Sequence, residues 1–336
     1  MSKYILIDTA NLFSRARHVV RGDIDTKVSM AMHIVFTSIQ KCWNTKQADH
    51  LVFAFEGRSW RKDIYPPYKK NRADARSALS ESDMEEEQLF WESIDNFKAF
   101  VQNKTNCTTL QHQELEADDL IAGWIQRHPN DDHLIISSDS DFVQLIAPNV
   151  SQYNGITETT TSINGYFDKD NKPIIDKKTK KPKEPPNPDY LLFEKIVRGD
   201  SSDNVFSAYP GVRRKGSKNK VGIIEAFNDR TDKGFEYNSF MLNKWIDHKN
   251  CEHRVLDDFN RNRTLIDLAA QPEDIKLKIF ETIEHSINRE PVDQVGARLI
   301  QFCNQHSLVK IAEMAQFFAH AFAAKYPAAK IVDTTK

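Results

Sequence analysis

What the sequence lacks narrows its class first. Its 46 lysines and arginines stand against 48 aspartates and glutamates, a formal net charge of -2, so no global excess of either sign announces a partner. Its four cysteines, Cys42, Cys107, Cys251 and Cys303, include no close pair, and the eleven histidines form no HExxH or mixed Cys/His cluster. A disulfide framework and a structural zinc site are thereby excluded, and reduced thiols in a cytosolic setting are expected. No apolar run is long enough to span a bilayer, and the short run after Met1-Ser2-Lys3 is too brief for a secretory leader. A soluble, cytoplasmic protein without internal repeats is the expectation. A chain of 336 residues holds one large or two modest domains, and two are expected.

Charge is instead segregated along the chain. From Arg58 to Arg76 there are seven basic and two acidic residues, and from Gly211 to Lys220 five basic and none acidic. In the first stretch Arg61, Lys62, Lys69, Lys70 and Arg72 alternate with Trp60, Tyr65 and Tyr68, a combination suited to phosphates and stacked bases. A solvated loop with snorkelling side chains explains the same residues about equally well. The second stretch carries Arg213, Arg214, Lys215, Lys218 and Lys220 in a glycine-containing loop that can offer charge and backbone N–H groups to phosphates. Between them, a Thr-rich, hairpin-like segment leads into the lysine run Lys177 to Lys183 and the prolines Pro182, Pro185, Pro186 and Pro188, which read as a surface excursion and domain boundary.

Several apolar runs end in acids. Leu134-Ile135-Ile136-Ser137-Ser138-Asp139-Ser140-Asp141-Phe142 reads as a buried parallel strand delivering two carboxylates to the rim of a sheet, where open α/β sheets keep their sites. Two carboxylates so close resist joint ionisation and invite a divalent cation, whereas capping of a helix near Phe142 accounts for one of them. Tyr4 to Ile7 reads as a strand ending at Asp8, with Thr9, Asn11 and Ser14 in a polar turn; Leu51 to Phe55 reads as a second strand, ending at Glu56. Lys27 to Trp43 reads as a helix, and after the acidic segment Ser80 to Trp91, Leu89, Ile94, Phe97 and Val101 mark one apolar helical face. Glu116-Ala117-Asp118-Asp119 opens another helix, where macrodipole stabilisation is the plainer explanation of the acids.

A helix from Asp189 to Val197 leads into Gly199-Asp200-Ser201-Ser202-Asp203-Asn204, a turn by composition that presents two more acids. An apolar helix from Val221 to Phe227 follows, and Leu308, Ile311, Ala315, Phe318 and Phe322 recur at helical spacing, so the C-terminal third reads as helical core. Singly, each acid has a structural explanation. Jointly, Asp8, Glu56, Glu116, Asp118, Asp119, Asp139, Asp141, Asp200 and Asp203 describe an acidic pocket on one sheet edge. Two oxygen-ligated divalent ions suit such a pocket, one activating water and the other stabilising the leaving oxygen of a phosphodiester.

The order Asp8, Tyr68-Lys69-x-x-Arg72, Glu116-Ala117-Asp118-Asp119, Ser138-Asp139-x-Asp141-Phe142 and Gly199-Asp200-Ser201-Ser202-Asp203-Asn204 resembles the 5'-nuclease (flap endonuclease) superfamily over about residues 4 to 230. Trp60-Arg61-Lys62-Asp63, Tyr68-Lys69-Lys70-Asn71-Arg72 and Gly222 to Arg230 most resemble its T-even phage ribonuclease H branch. The resemblance implies an α/β, PIN-like parallel sheet with a helical arch over about 66–100, and a mostly helical C-terminal domain with a helix-three-turn-helix hairpin over about 199–227. The domains would be 1–185 and 186–336. It implies two Mg2+ ions, with Mn2+ as a substitute. Asp8, Asp118, Asp119 and Asp139 would surround the first, helped by Glu116; Asp141, Asp200 and Asp203 would bind the second. Lys69 and Arg72 would engage the scissile phosphate, and Arg61, Tyr68 and the loop Arg213 to Lys220 the nucleic acid.

The implied activity is Mg2+-dependent 5' to 3' exonuclease and flap endonuclease action, with RNase H activity, on DNA and RNA–DNA hybrids with a free 5' end. The implied setting is primer removal in lagging-strand replication in a phage-infected host, alongside a single-stranded DNA-binding protein and other replication proteins. Three departures from the family pattern stand out. Glu56 occupies the place of an Asp, which implies a longer or water-mediated contact. Gly211-Val212-Arg213-Arg214 replaces Gly-Val-x-Gly-Ile-Gly in the duplex-binding loop, and the arch is acidic from Glu81 to Glu92. Three other readings of the acids stand beside this one: a PIN-type ribonuclease, a non-catalytic nucleic-acid scaffold, and a phosphatase with Asp8 as nucleophile. The last would want a second Asp where Ala10 stands.

Overall fold

In the computed structural model, which describes residues 1–19, 24–209 and 222–327, buried strands and amphipathic helices alternate through the first half of the chain. The elements begin with β1 Lys3–Asp8, α1 Thr9–Val19, α2 Ile24–Lys46, β2 His50–Ala54, α3 Arg61–Ile64, α4 Lys70–Ser77, α5 Glu81–Lys104, β3 Thr108–Leu110, α6 Ala117–Arg127 and β4 Asp132–Ile136. A 3-10 turn, Ser140–Leu145, precedes β5 Val150–Asn154, β6 Thr159–Ser162 and β7 Gly165–Phe167. Then come α7 Pro188–Arg198, α8 Ile223–Asn228, α9 Phe235–Met241, β8 Lys244–Ile246, β9 Glu252–Arg254 and α10 Val255–Ile266. The last four helices are α11 Glu273–Ile287, α12 Val295–Gln305, α13 Val309–Glu313 and α14 Ala315–Ala323.

Contacts group the chain into two units. The first comprises Met1–Ser59, Leu79–Pro186 and Asp274–Lys336, and its centre is a seven-stranded sheet ordered β3-β2-β1-β4-β5-β6-β7. Strands β1 to β5 pair in parallel, while β6 and β7 add an antiparallel margin. Ile5, Leu6 and Ile7 are wholly buried because β1 has a parallel neighbour on each side, the environment that calls for a continuous apolar run. Strand order reverses between β1 and β4, which opens a switch-point crevice at their C-terminal ends.

The core of this unit is aromatic. Phe13, Phe36, Phe53, Phe97, Phe302, Phe318 and Phe322 are all buried there, and the rings of Phe100 and Phe302 stack 4.3 Å apart. Gly123 lets α6 approach α11: a Cβ there would lie 2.1 Å from Ile279 Cγ2. The second unit, Trp60–Ala78 and Asn187–Glu273, packs α7, α8, α9 and α10 around Tyr68, Phe193, Val197, Phe227, Phe240 and Phe259. Asn262, buried in α10, donates to the carbonyls of Ile196 at 2.9 Å and Phe206 at 2.8 Å.

Several readings differ from what is observed. Thr9, Asn11 and Ser14 do not form a turn; α1 starts directly after Asp8, whose carboxylate accepts from Asn11 N–H at 3.2 Å in the manner of a helix cap. On α5, Leu89 is 44% exposed and Phe90 takes the buried position beside Ile94, Phe97 and Val101. A sequential division at 185 also differs from the grouping of the folded chain. Helices α12 and α14 join the first unit because Phe302, Phe318 and Phe322 complete its aromatic core. The segment Trp60–Ala78 joins the second because Tyr68 is part of that core and Lys69 N–H donates to the Asp203 carbonyl at 2.8 Å. The span of the expected arch is thereby shared, α4 in the second unit and α5 in the first. Among the described residues no helix is long and apolar enough to cross a membrane.

Two buried histidines make the first unit sensitive to acid. His50 donates from Nδ1 to the Ala324 carbonyl at 3.1 Å and accepts at Nε2 from Thr108 N–H at 3.2 Å, a pairing that only the neutral ring satisfies. Burial pushes His50 and His133 down to about 4 from the ordinary 6.5. A depressed folded pKa gives stability that is present above pH ~6.5 and lost as pH falls toward 4, about 2 kcal/mol per ring by pH 5. Urea unfolding is therefore expected to show a lower midpoint at pH 5 than at pH 7.5, and His50→Gln to shrink that difference. A pH difference unchanged in His50→Gln would count against a neutral buried ring.

Candidate functional site

The parallel strands bring their C-terminal ends, and the acids that follow them, to one edge of the first unit. Asp8 ends β1 and is only 3% exposed. Ser137, just past β4, donates its hydroxyl to Asp8 Oδ2 at 2.8 Å and accepts from the Asp139 N–H at 3.0 Å, so one buried hydroxyl ties the two strand ends across the switch point. Asp139 Oδ1 then accepts from the Asp141 N–H at 3.0 Å and caps the 3-10 turn. Gln152 on β5 fixes this loop from beside it, donating to the carbonyls of Ser137 at 3.0 Å and Asp139 at 2.5 Å.

On the other side of β1, Glu56 follows β2 and accepts from Ala117 N–H at 3.3 Å. Gly57 next to it is required by a close approach: a Cβ there would lie 2.0 Å from the His112 carbonyl oxygen. Glu116 is the N-cap of α6 and forms a capping box with Asp119, whose Oδ2 accepts from Glu116 N–H at 3.3 Å. Glu116 is buried and accepts from the Ser59 hydroxyl at 2.5 Å; Asp119 is fully buried, and Asp118 is half-buried on the first turn. Capping accounts for Glu116 and Asp119 locally, but it does not account for the third acid of that first turn, Asp118.

The second unit holds a charged cluster of its own. Tyr68 donates its hydroxyl to Asp203 Oδ2 at 2.9 Å, Lys69 Nζ lies 3.7 Å from the same oxygen, and Arg72 Nη2 donates to Oδ1 at 2.5 Å. Lys69 takes a left-handed conformation, φ 52, at the start of α4. Asp200 pairs with Lys195 at 2.8 Å and accepts from the Ser202 hydroxyl at 2.6 Å. Burial pushes the Asp200 carboxyl up, but the Lys195 ammonium and Ser202 hydroxyl outweigh it and hold the group below the usual carboxylate range.

A family model for the 5'-3' exonuclease N-terminal resolvase-like domain matches residues 3–177, more than half of the chain. The chain belongs to the 5'-3' exonuclease family. By family it is a nuclease hydrolase. It is 29% identical over 262 residues to a ribonuclease H of Enterobacteria phage T4, covering 74% of this chain and 72% of that one. It is 28% identical over 181 residues to a DNA polymerase I of Rhizobium leguminosarum, covering 53% of this chain but only 15% of the polymerase. A bacteriophage T5 flap endonuclease, solved as a pseudo-enzyme-product complex with DNA and metal ions, shares the fold at a TM-score of 0.55 and 20% identity, over 84% of this chain and 99% of that one.

In this exonuclease-family chain the donor set at the sheet edge is carboxylate oxygen, without thiolate or imidazole, the ligand type of hard divalent cations. Among the described residues no three such side chains converge as a group placed to hold a metal ion. The acids are of the ligand type that suits a hard cation and lie along one sheet edge, but their side chains do not close on a common point, and Asp203 and Asp200 are engaged by cationic neighbours within the second unit. Two expected nucleic-acid contacts are corrected. Arg61 is 2% exposed, with its Nε donating to the Leu265 carbonyl at 2.7 Å and its guanidinium over the Trp60 ring, and Tyr68 is 5% exposed in the core. Side chains so enclosed are not open to a polyanion; alternating charge and rings along a sequence do not reveal which of them a fold will bury. Arg213, Arg214, Lys215, Lys218 and Lys220 lie outside the described residues. Sequence reasoning missed Ser137, Ser59 and Gln152, and only the place of Ser137 immediately before Ser138-Asp139 could have signalled any of them.

Ser137→Ala leaves a buried Asp8 oxygen and the Asp139 N–H each one partner short. A loss of roughly 1–3 kcal/mol in unfolding free energy is expected from urea titration. A change within error of wild type would remove Ser137 as the tie between the strand ends.

Proposed function

We propose that the chain is a divalent-metal-dependent phosphodiesterase that works from 5' ends. It cuts RNA–DNA hybrids, duplex 5' ends and 5' flaps, and so removes primers in lagging-strand replication. The observation that carries the reading is the Asp8–Ser137–Asp139 link at the switch point of a parallel sheet, with Glu56 just past the neighbouring strand β2 and Glu116, Asp118 and Asp119 at the start of α6. The similarity to a phage ribonuclease H and the DNA and metal ions bound by the T5 enzyme support the substrate class and the metal. Replication proteins such as a single-stranded DNA-binding protein would be its partners.

Asp8, Asp118, Asp119 and Asp139, with Glu116 and Glu56 directly or through water, would hold one Mg2+. Asp141, Asp200 and Asp203 are proposed for a second on the order of the motifs in the sequence. Bound Mg2+ supplies Lewis-acid polarisation of the phosphate and a lower pKa for the attacking water. Water adds across the P–O bond, leaving a phosphate on one side and a hydroxyl on the other. The chain's own part is positioning and electrostatics. Ser137 and Gln152 hold the Asp139 loop, which keeps like charges at a fixed spacing. Asp203 orients Lys69 and Arg72, whose charge neutralises the phosphoryl oxygens as the transition state forms; Lys69 acts as an electrostatic stabiliser and abstracts no proton.

A 5'-labelled panel of RNA–DNA hybrid, nicked duplex and DNA flap, incubated with Mg2+ or with EDTA, tests the reading. Short 5' products are expected from wild type in Mg2+ alone, and none from Asp139→Asn or Asp118→Asn. Intact label beside tight flap binding would instead favour a non-catalytic scaffold. Lys69→Ala is expected to lower kcat by roughly 10²–10³ with little change in duplex affinity. Equal losses in both would sink its proposed role.

A further inference from the structure

The lysine run that the site does not use forms a structure of its own on the margin of the first unit. Beyond β7 the chain doubles back: Phe167 bridges Pro173, Ile174 N–H donates to the Tyr166 carbonyl at 2.8 Å, Ile175 bridges Pro182, and Lys183 N–H donates to the Ile174 carbonyl at 2.8 Å. The result is a β-ribbon with two tight turns, one around 168–172 and the other around 176–181. Between Asp168 and Glu184 it carries seven lysines, Lys169, Lys172, Lys177, Lys178, Lys180, Lys181 and Lys183, against four acids.

Against those four acids the ribbon keeps a formal excess of three positive charges, and two of the acids also close its turns. Asp168 Oδ1 accepts from the N–H groups of Asp170 and Lys172, each at 2.9 Å. Asp176 Oδ1 likewise accepts from Lys178 N–H at 2.9 Å and Thr179 N–H at 2.7 Å. Both carboxylates thus close the turns. Glu158, on the neighbouring hairpin, is paired with Lys41 at 2.5 Å. All seven lysines are exposed, and among the described residues none is within ion-pair distance of a carboxylate. Only Lys183 is otherwise engaged, its ammonium 3.6 Å from the centre of the Tyr166 ring.

Edge protection is the plainer account of a basic margin, since lysine and proline on an outer strand block pairing with another chain. It accounts for Pro173, Pro182 and one or two lysines. It does not account for Lys177, Lys178, Lys180 and Lys181, which lie in or beside a turn, off the ladder. Their common property is exposed charge in local excess, of the sign that binds phosphate.

The position is also suggestive. Direction alternates from β5 through β6 to β7, so β7 runs the same way as β4 and the turn bearing Lys169 and Lys172 leaves from the edge that carries Asp139. Three strand spacings separate β4 from β7, about 14 Å, which is the axial rise of about four base pairs of a duplex. From there the stripe runs down the free side of the sheet to the turn at Lys177 to Lys181.

We propose that this ribbon is a second contact for the phosphate backbone of the substrate duplex, engaging phosphates some four or more steps from the scissile bond. The inference rests on the nuclease reading and adds to it a surface that sets affinity, not chemistry.

The test uses the full chain carrying Lys177→Gln, Lys178→Gln, Lys180→Gln and Lys181→Gln together. A control carries Lys104→Gln and Lys310→Gln, exposed lysines away from the ribbon. Binding of a labelled RNA–DNA hybrid primer-template is measured by anisotropy in EDTA between 50 and 200 mM salt. Each phosphate contact adds about 0.9 to the slope of log affinity against log salt. The ribbon variant is expected to lose at least about 2 from that slope, so its affinity falls roughly sixteenfold less than that of wild type over this range, while the control keeps the wild-type slope. Cleavage at saturating substrate in Mg2+ should match wild type. A ribbon variant with the wild-type slope, or one whose slope is reduced no more than the control's per charge removed, overturns the proposal while leaving the nuclease intact. A wild type that binds tightly but never cuts overturns the catalytic reading while the slope still decides the ribbon. A wild type that binds no nucleic acid overturns both.

Discussion

A carboxylate at the end of a strand with a parallel neighbour on each side is the constraint on which the first unit depends. Asp8 occupies that place, almost wholly buried, and burial of a charge is costly unless hydrogen bonds or a counter-charge compensate it. The Ser137 hydroxyl and the Asn11 N–H provide part of that compensation, and the first of these also fixes the backbone that carries Asp139. The same few bonds that make Asp8 tolerable therefore set the spacing between it and the next carboxylate. Stability and site geometry are coupled at this edge through one hydroxyl.

The acids around Glu116 show how a structural and a functional explanation share the same atoms. The capping box engages Glu116 and Asp119 at the start of α6, and the Ser59 hydroxyl holds Glu116 as well, so the two acids are fixed by the fold at the same edge as Asp8. Asp118 takes no part in that box. In the second unit the balance is different: Asp203 accepts from a tyrosine hydroxyl and lies against two cations, so its first duty is to hold Lys69 and Arg72. A divalent ion competing for Asp203 would loosen those two side chains, and a phosphate competing for Arg72 would free an Asp203 oxygen.

The strands were legible in the sequence because their burial on both faces writes apolar runs of fixed length, and the acids after them were legible because an abrupt change from isoleucine to aspartate has few explanations. The start of α1 was not, since Thr9, Asn11 and Ser14 suit a turn and a capped helix equally, and the Asp8 carboxylate that accepts from Asn11 N–H suits either. Nor was the assignment of the last helices: the spacing of Phe318 and Phe322 marks a buried face but not the core it enters. The fates of Arg61 and Tyr68 illustrate the same limit for the site. Residue type signals an affinity for phosphate or for bases, while exposure is a property of the folded unit.

A net charge of -2 conceals rather than abolishes electrostatic character. A nuclease that gathers carboxylates to hold cations repels its own substrate at the place of reaction, and the repulsion must be met by positive charge placed elsewhere on the chain. Distance matters in that division. A lysine beside the carboxylates would pair with them and neutralise both, as Lys195 does with Asp200. A lysine beyond about a Debye length, ~8–10 Å at ordinary ionic strength, leaves the acids free for cations and keeps its own charge for phosphate. The ribbon margin, three strands away from Asp139 and with seven lysines against four acids, meets both requirements. Near-neutral composition is then what such a division of labour produces, because each local excess is balanced by one of opposite sign too far away to cancel it.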